Sequence, residues 1–195
     1  MMDCILISGF EPFDGAPHNS SQDLVKALDG RTVQNNTIFL RSCVLPVVCD
    51  EAWLLLREQI ETYNPIAVIA FGQSKRTGIH LEQYAYNRNH FRIPDNKGNK
   101  PQDADIVKDG PSSLPSSLPI ESLVSHQKKG GIPVVISSDP GRFVCNNLFY
   151  LMQAHNLGIP SGFVHLPYTC SNMLIGAAEL LLDRISGNIS SVQSS

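Results

Sequence analysis

The stretch Ile66-Ala67-Val68-Ile69-Ala70-Phe71-Gly72 carries no polar side chain and follows directly on Asn64-Pro65. A strand with one wet face would alternate apolar and polar residues. A short, wholly apolar run bounded by turn residues therefore reads as a strand covered on both faces. On its N-terminal side, residues 48–63 have helical spacing and stop before Asn64-Pro65, because the residue preceding a proline is pushed out of the helical region. Further back, 37–44 read as a strand. Residues 19–29 read as a helix with Leu24, Val25 and Leu28 on one face, ending at Gly30. Residues 3–8 form an apolar first strand closed by Gly9. On the C-terminal side, 132–138 and 162–166 read as strands and 144–156 as a helix. Residues 171–185 form a last helix with Leu174, Ala177, Ala178, Leu181 and Leu182 on one side. Apolar strands alternating with amphipathic helices define an α/β protein, a three-layer α/β/α sandwich around a mostly parallel central sheet. The segment 86–118 breaks that rhythm with four prolines among Asn, Asp, Gly and Ser. It reads as a long structured excursion of the kind that often carries function.

A chain of 195 residues is the size of one domain, here 1–185, and the serine-rich tail 186–195 is expected to be disordered. With 42% hydrophobic and 17% charged residues the chain can fill a core and is not of a disordered class. A net charge of −3 gives no electrostatic case for nucleic acid or an anionic membrane as partner. No apolar run approaches the roughly 18 residues of a membrane span, and the N-terminus lacks a basic region followed by a long apolar core. The expected location is cytoplasmic. Five cysteines, an odd number without a C-x-x-C pair, fit neither a disulfide framework nor a zinc site. The histidines and carboxylates show no metal-ligand spacing and no phosphate-binding glycine loop is present, so neither a metal nor a cofactor is expected.

Cys145 has an informative address. Ser137-Ser138-Asp139-Pro140-Gly141-Arg142-Phe143-Val144-Cys145 leaves a buried strand, turns at Pro-Gly and enters a helix within one turn of the thiol. A helix N-terminus offers free N–H groups and positive potential, which favour a thiolate and can bind an oxyanion, and Arg142 would act in the same direction. The alternative is an ordinary buried cysteine in a first turn. A cysteine nucleophile needs a histidine base and a group to orient it. His165 lies near the C-terminal end of an apolar strand, where open α/β sheets bind ligands, though a core histidine fits that setting too. Glu82 could supply the third group, but its spacing alone says little. Phe10 and Phe13 flank a loop after the first strand and could either form an apolar slot or seal the sheet edge.

These pieces occur together in a known family. Gly9-Phe10-Glu11-Pro12-Phe13 with Asn19-Ser20 and Val44-Leu45-Pro46-Val47 resembles the opening of the pyroglutamyl-peptidase I (pyrrolidone-carboxylate peptidase) family. Glu82, Asn87, Arg92-Ile93-Pro94-Asp95-Asn96, Gly98 and Pro101 resemble its central signature. Val144-Cys145-Asn146 with Phe149-Tyr150, and Gly162-Phe163-Val164-His165-Leu166-Pro167-Tyr168, resemble its nucleophile and histidine motifs. The similarity runs in order from about residue 3 to 183. It implies a single α/β/α domain that removes N-terminal pyroglutamyl residues from small peptides without metal or cofactor. The implied triad is Cys145, His165 and Glu82. Phe10, Phe13 and Phe143 are implied to pack on the pyrrolidone ring, with Asn19 and Gln73 in or beside that pocket and Arg92 close to the triad. Related enzymes occur as monomers and tetramers, so a homo-oligomer, dimer or tetramer, is compatible with the resemblance.

The chain also departs from the family pattern. Ser74-Lys75-Arg76 stands where a Gly-Gly-Arg-type stretch is usual, one residue shorter. Pro140-Gly141-Arg142 replaces Ala-Gly-Thr, Asn147 replaces a histidine, and the interval of 20 residues from Cys145 to His165 is short. The expected chemistry is acyl transfer through a thioester. His165 takes the Cys145 proton or holds a thiolate–imidazolium pair, Glu82 orients the ring, and helix N–H groups, helped by Arg92, bind the oxyanion. The altered loops leave room for two alternatives, a cysteine amidase for another lactam or cyclic amide and a catalytically silent pyroglutamyl-binding homologue.

Overall fold

A computed structural model describes residues 3–124 and 131–193. The wholly apolar stretch is strand β4 (Ala67–Gln73), and its side chains divide between two cores. Ala67, Ile69 and Phe71 enter one and Val68 and Ala70 the other, which is why no position tolerates a polar group. Around it the chain runs β1 (Cys4–Phe10), α1 (Ser20–Leu28), β2 (Thr32–Val33), β3 (Ile38–Leu45) and α2 (Glu51–Tyr63) before β4. After β4 come β5 (Ile79–Glu82), β6 (Tyr84–Tyr86), β7 (Ser113–Pro115), α3 (Ile120–Val124), β8 (Val134–Ser137), α4 (Val144–Ala154), β9 (Ser161–Leu166) and α5 (Asn172–Gln193). Among the described residues no helix is long and apolar enough to cross a membrane.

Seven strands form one sheet in the order β2-β3-β1-β4-β9-β5-β8, with α1, α3 and α5 over one core and α2 and α4 over the other. The three-layer α/β/α reading and the mostly parallel sheet are what the structure has. β3, β1, β4 and β9 run parallel. β5 lies antiparallel to β9 and carries β8 parallel beside it, and β2 is antiparallel to β3.

Glu82, which follows the third strand and its loop, ends β5, a four-residue strand inside the sheet that periodicity does not mark. One expectation is corrected. The tail does not fray at Ser186, because α5 continues to Gln193 with Ser186 and Ile189 buried. Residues 194–195 of that expected tail lie outside the described residues.

The excursion 86–118 is structured: β7 pairs with β6 near its end, and hydrogen bonds order much of the rest. Asn87 is buried, accepts at Oδ1 from the N–H groups of Ile106 and Val107, and donates to the Val107 and Gly110 carbonyls. Asp95 gathers the tip of the Pro94–Asn99 turn by accepting from the backbone N–H groups of Cys49, Lys97 and Asn99. With Phe91 fully buried beneath it, the excursion becomes a fixed wall beside the C-terminal end of β4.

Candidate active site

Strand register brings the first two groups together. β5 and β9 are antiparallel neighbours, with Glu82 opposite Phe163 and His80 opposite His165, so Glu82 and His165 share a face of the sheet. Both side chains are buried, and Glu82 Oε1 lies 2.7 Å from His165 Nδ1. Burial pushes the Glu82 carboxyl up. Hydrogen bonds from His165, Ser137 and Arg76, together with the charge of an imidazolium, outweigh it and hold the group below the usual carboxylate value.

The thiol arrives from α4, which packs over the same face of the sheet as Phe163 and His165. Phe143 is the N-cap of α4 and Cys145 the second helical residue. The first turn closes with Asn147 N–H donating to the Phe143 carbonyl at 3.1 Å, which leaves the N–H groups of Val144, Cys145 and Asn146 without an intrahelical acceptor. Gly72 is the register partner of His165, and a Cβ at Gly72 would lie 2.9 Å from the Cys145 sulfur and 2.8 Å from the Phe163 ring. The sulfur therefore rests directly over the residue beside His165, on a position that only glycine leaves open. Asn146 locks this helix start to β6: its amide accepts from Tyr86 N–H and donates to the Tyr86 and Arg88 carbonyls.

The expected preference for a thiolate is not what this setting produces. Burial, then the Glu82 charge, push the Cys145 thiol up to about 12, against which its own backbone N–H pulls only weakly. Cys43 is likewise pushed up to about 12 by burial, so acidity does not single out Cys145; position does. Arg142, expected to support a thiolate, is engaged elsewhere. Its guanidinium donates to Asp139 at 2.8 Å and lies 4.0 Å over the Tyr86 ring.

Beside the sulfur is a narrow slot lined by Phe10, Phe13, Asn19, Gln73, Phe143 and Cys145, which joins all the ring-packing and pocket residues expected from the sequence. Phe13 and Phe143 face each other with ring centroids 5.8 Å apart. Asn19 is largely spent on structure: Nδ2 donates to the Glu11 carbonyl, and Oδ1 caps α1 by accepting from Ser21 N–H. Gln73 Oε1 accepts from Ser20 N–H at 2.8 Å, and its Nε2 makes no hydrogen bond among the described residues. The slot opens into a wider cleft of about 450 Å³ that shares Phe13, Gln73 and Phe143 with it and also holds Lys75, Arg92 and Tyr168.

Arg92 thus lines the cleft, and among the described residues it makes no hydrogen bond to Glu82 or His165. The arginine in contact with that pair is Arg76, from the loop between β4 and β5. Its Nη2 lies 2.6 Å from Glu82 Oε1 and 3.2 Å from His165 Nδ1, while Nη1 donates to Ser137 Oγ at 2.8 Å. The sequence presented Arg76 only as part of a departing loop. The signal that could have found it is chemical: a carboxylate buried as deeply as Glu82 calls for a cation within reach.

A thiol at a helix N-terminus, a histidine held by a buried carboxylate and an aromatic slot between loops give this α/β/α scaffold the equipment of a cysteine hydrolase. The family model for pyroglutamyl peptidase matches residues 3–183, and the chain belongs to that family. A pyrrolidone-carboxylate peptidase of Enterobacter sp. (strain 638) is 41% identical over 168 residues, covering 84% of this chain and 78% of the relative. The crystal structure of Bacillus amyloliquefaciens pyroglutamyl peptidase I superposes with a TM-score of 0.86 at 32% identity, over 95% of this chain and 97% of that one. That of pyrrolidone carboxyl peptidase from Pyrococcus furiosus gives 0.87 at 29% identity, over 95% and 99%.

Proposed function

We propose that the protein is a cysteine exopeptidase that removes N-terminal pyroglutamyl (5-oxoproline) residues from small peptides. The observation that carries the reading is the meeting of Glu82 and His165 at 2.7 Å beside the residue on which the Cys145 sulfur rests.

The pyrrolidone ring enters the slot between Phe13 and Phe143, over Phe10, and the free Nε2 of Gln73 is a donor for the lactam carbonyl. Because Cys145 is held as a thiol, its activation is coupled to attack. His165 Nδ1 is tied to Glu82, so Nε2 takes the S–H proton while sulfur bonds to the pyroglutamyl carbonyl carbon. The oxyanion is received by the N–H groups at the start of α4, and Arg92 is one of the cations lining the adjoining cleft. The carbon–nitrogen bond breaks, and the amine leaves with the proton from Nε2. Water then attacks the thioester, gives its proton to Nε2, and the carbon–sulfur bond breaks to release pyroglutamate and restore the thiol. Every step uses groups the chain supplies, so the reading includes no metal or cofactor.

The reading places the protein in the cytoplasm, where a functional thiol stays reduced, as one domain, with no nucleic-acid or membrane partner. The test is release of a fluorophore from a pyroglutamyl amide by reduced wild type and by Cys145→Ala. Turnover by wild type and its loss in the variant are expected. An inactive wild type would overturn the peptidase reading in favour of a silent binder or an amidase for another cyclic amide. An active variant would overturn the thioester.

A further inference from the structure

Beyond the slot that the peptidase reading gives to the pyrrolidone ring, the adjoining cleft of about 450 Å³ has a character of its own. Since slot and cleft share Phe13, Gln73 and Phe143, and Cys145 lies in the slot, the part of a substrate beyond the scissile bond runs into the cleft. Three permanent cations line it, Lys75, Arg92 and Arg142, against one carboxylate, Asp14. Arg142 is paired with Asp139, but Lys75 and Arg92 are exposed and make no ion pair among the described residues. A locally positive cleft in a chain of net charge −3 is a concentration of one sign at the place where the leaving peptide lies.

We propose that this cleft selects leaving peptides that carry a carboxylate next to the pyroglutamyl residue. The proposal rests on the peptidase reading above and adds a substrate class to it. The carboxylate has two sources, an acidic side chain on the second residue or the free chain terminus of a pyroglutamyl dipeptide. A cationic second residue meets Lys75 and Arg92 as like charges and is disfavoured, while Asp14 is too isolated among the lining charges to reverse the sign.

Two substrate pairs separate the sources: pyroglutamyl-glutamate amide against pyroglutamyl-glutamine amide, and pyroglutamyl-alanine against its amide. At low ionic strength kcat/KM is expected to favour the anionic member of at least one pair by about fivefold, and the preference to fade toward unity near 1 M salt. Lys75→Gln should shrink the ratio, and Lys75→Glu should abolish or invert it. Lys75 is exposed, and the two variants guard against a folding effect of either. Equal rates within both pairs at low salt would overturn the proposal while leaving the peptidase reading intact. A preference unchanged in Lys75→Glu would also overturn it. Failure to cleave any of the four would instead overturn the peptidase reading, and this proposal with it.

Discussion

Glu82 and His165 approach to 2.7 Å across two antiparallel strands of an otherwise mostly parallel sheet. That reversal matters to the site. Because β5 runs against β9, its last residue, Glu82, comes level with Phe163, one same-face pair from His165 and within reach of its Nδ1. The insertion of β5 between β9 and β8 is thus what gives His165 a carboxylate partner.

Glu82→Gln keeps the shape but exchanges a carboxylate for an amide that can hold Nδ1 in the wrong tautomer. It is expected to lower kcat by roughly 10²–10⁴-fold with little change in KM, as measured by steady-state kinetics on a pyroglutamyl amide. An equal loss expressed in KM alone would mean that Glu82 shapes the slot rather than orienting His165.

The site was legible in the sequence where local chemistry marks position. Cys145 follows a strand–turn–helix junction and His165 ends an apolar strand, so each could be placed at the functional edge of the sheet from its own neighbours. Glu82 could not be placed that way. Its strand, Ile79-His80-Leu81-Glu82, is four residues of mixed polarity, and its pairing partners lie more than 50 residues downstream. Arg76 was hidden for the same reason, since its contact depends on where β5 returns. The helical tail was misjudged because serine suggests solvent, whereas Ser186 is a small residue packed at the core, its hydroxyl satisfied by the Asp183 carbonyl.

A thiol pushed up to about 12 by burial gives a defined pH signature in the free enzyme. Thiolate is then scarce at neutrality and grows about tenfold per pH unit until the pH approaches that value. Alkylation of Cys145 by iodoacetamide, followed by mass spectrometry, should therefore climb through pH 7 to 9 without a plateau. A plateau near neutrality would indicate a standing thiolate–imidazolium pair.

Asp95 is a carboxyl that burial pushes up, but hydrogen bonds from Cys49, Asn99 and Lys97 prevail and hold it below its ordinary value. A carboxyl depressed on folding adds stability that is fully present above its unfolded-state value of about 4 and is lost as pH falls through the lower folded value. Asp95→Asn should destabilise the protein by about 1–3 kcal/mol at pH 7. Its Tm should also fall less than that of wild type as pH drops from 5 to 3, by thermal melts at each pH. Parallel melts of the two proteins across that range would contradict the assignment.

Arg76 spans Glu82, His165 and Ser137 with one guanidinium, a geometry that a lysine ammonium cannot reproduce. Arg76→Met is expected to lower kcat by about tenfold with KM nearly unchanged. Arg76→Lys should recover only part of the loss, since charge returns without the fork. Full activity in both variants would make Arg76 a bystander, and equal loss in both would assign the effect to geometry alone.

A steric constraint within the site falls on Gly72, the residue between the thiol and the histidine strand. An alanine methyl there would sit 2.9 Å from the Cys145 sulfur and 2.8 Å from the Phe163 ring, inside van der Waals contact on both. Neither neighbour yields easily: Phe163 is fully buried against Phe149 and Phe10, and Cys145 is fixed by the Asn146 bonds to Tyr86 and Arg88. Relief must come from moving α4 away from the sheet, which displaces the nucleophile from His165 and the oxyanion donors from the carbonyl together. Gly72→Ala should cost about 1–3 kcal/mol of stability by denaturant melts. A displacement of order 1 Å should also cost kcat about 10²-fold, far more than the stability loss alone explains in a protein that remains folded. Retained kcat in a stable Gly72→Ala protein would mean that the sulfur does not work from the position over this glycine.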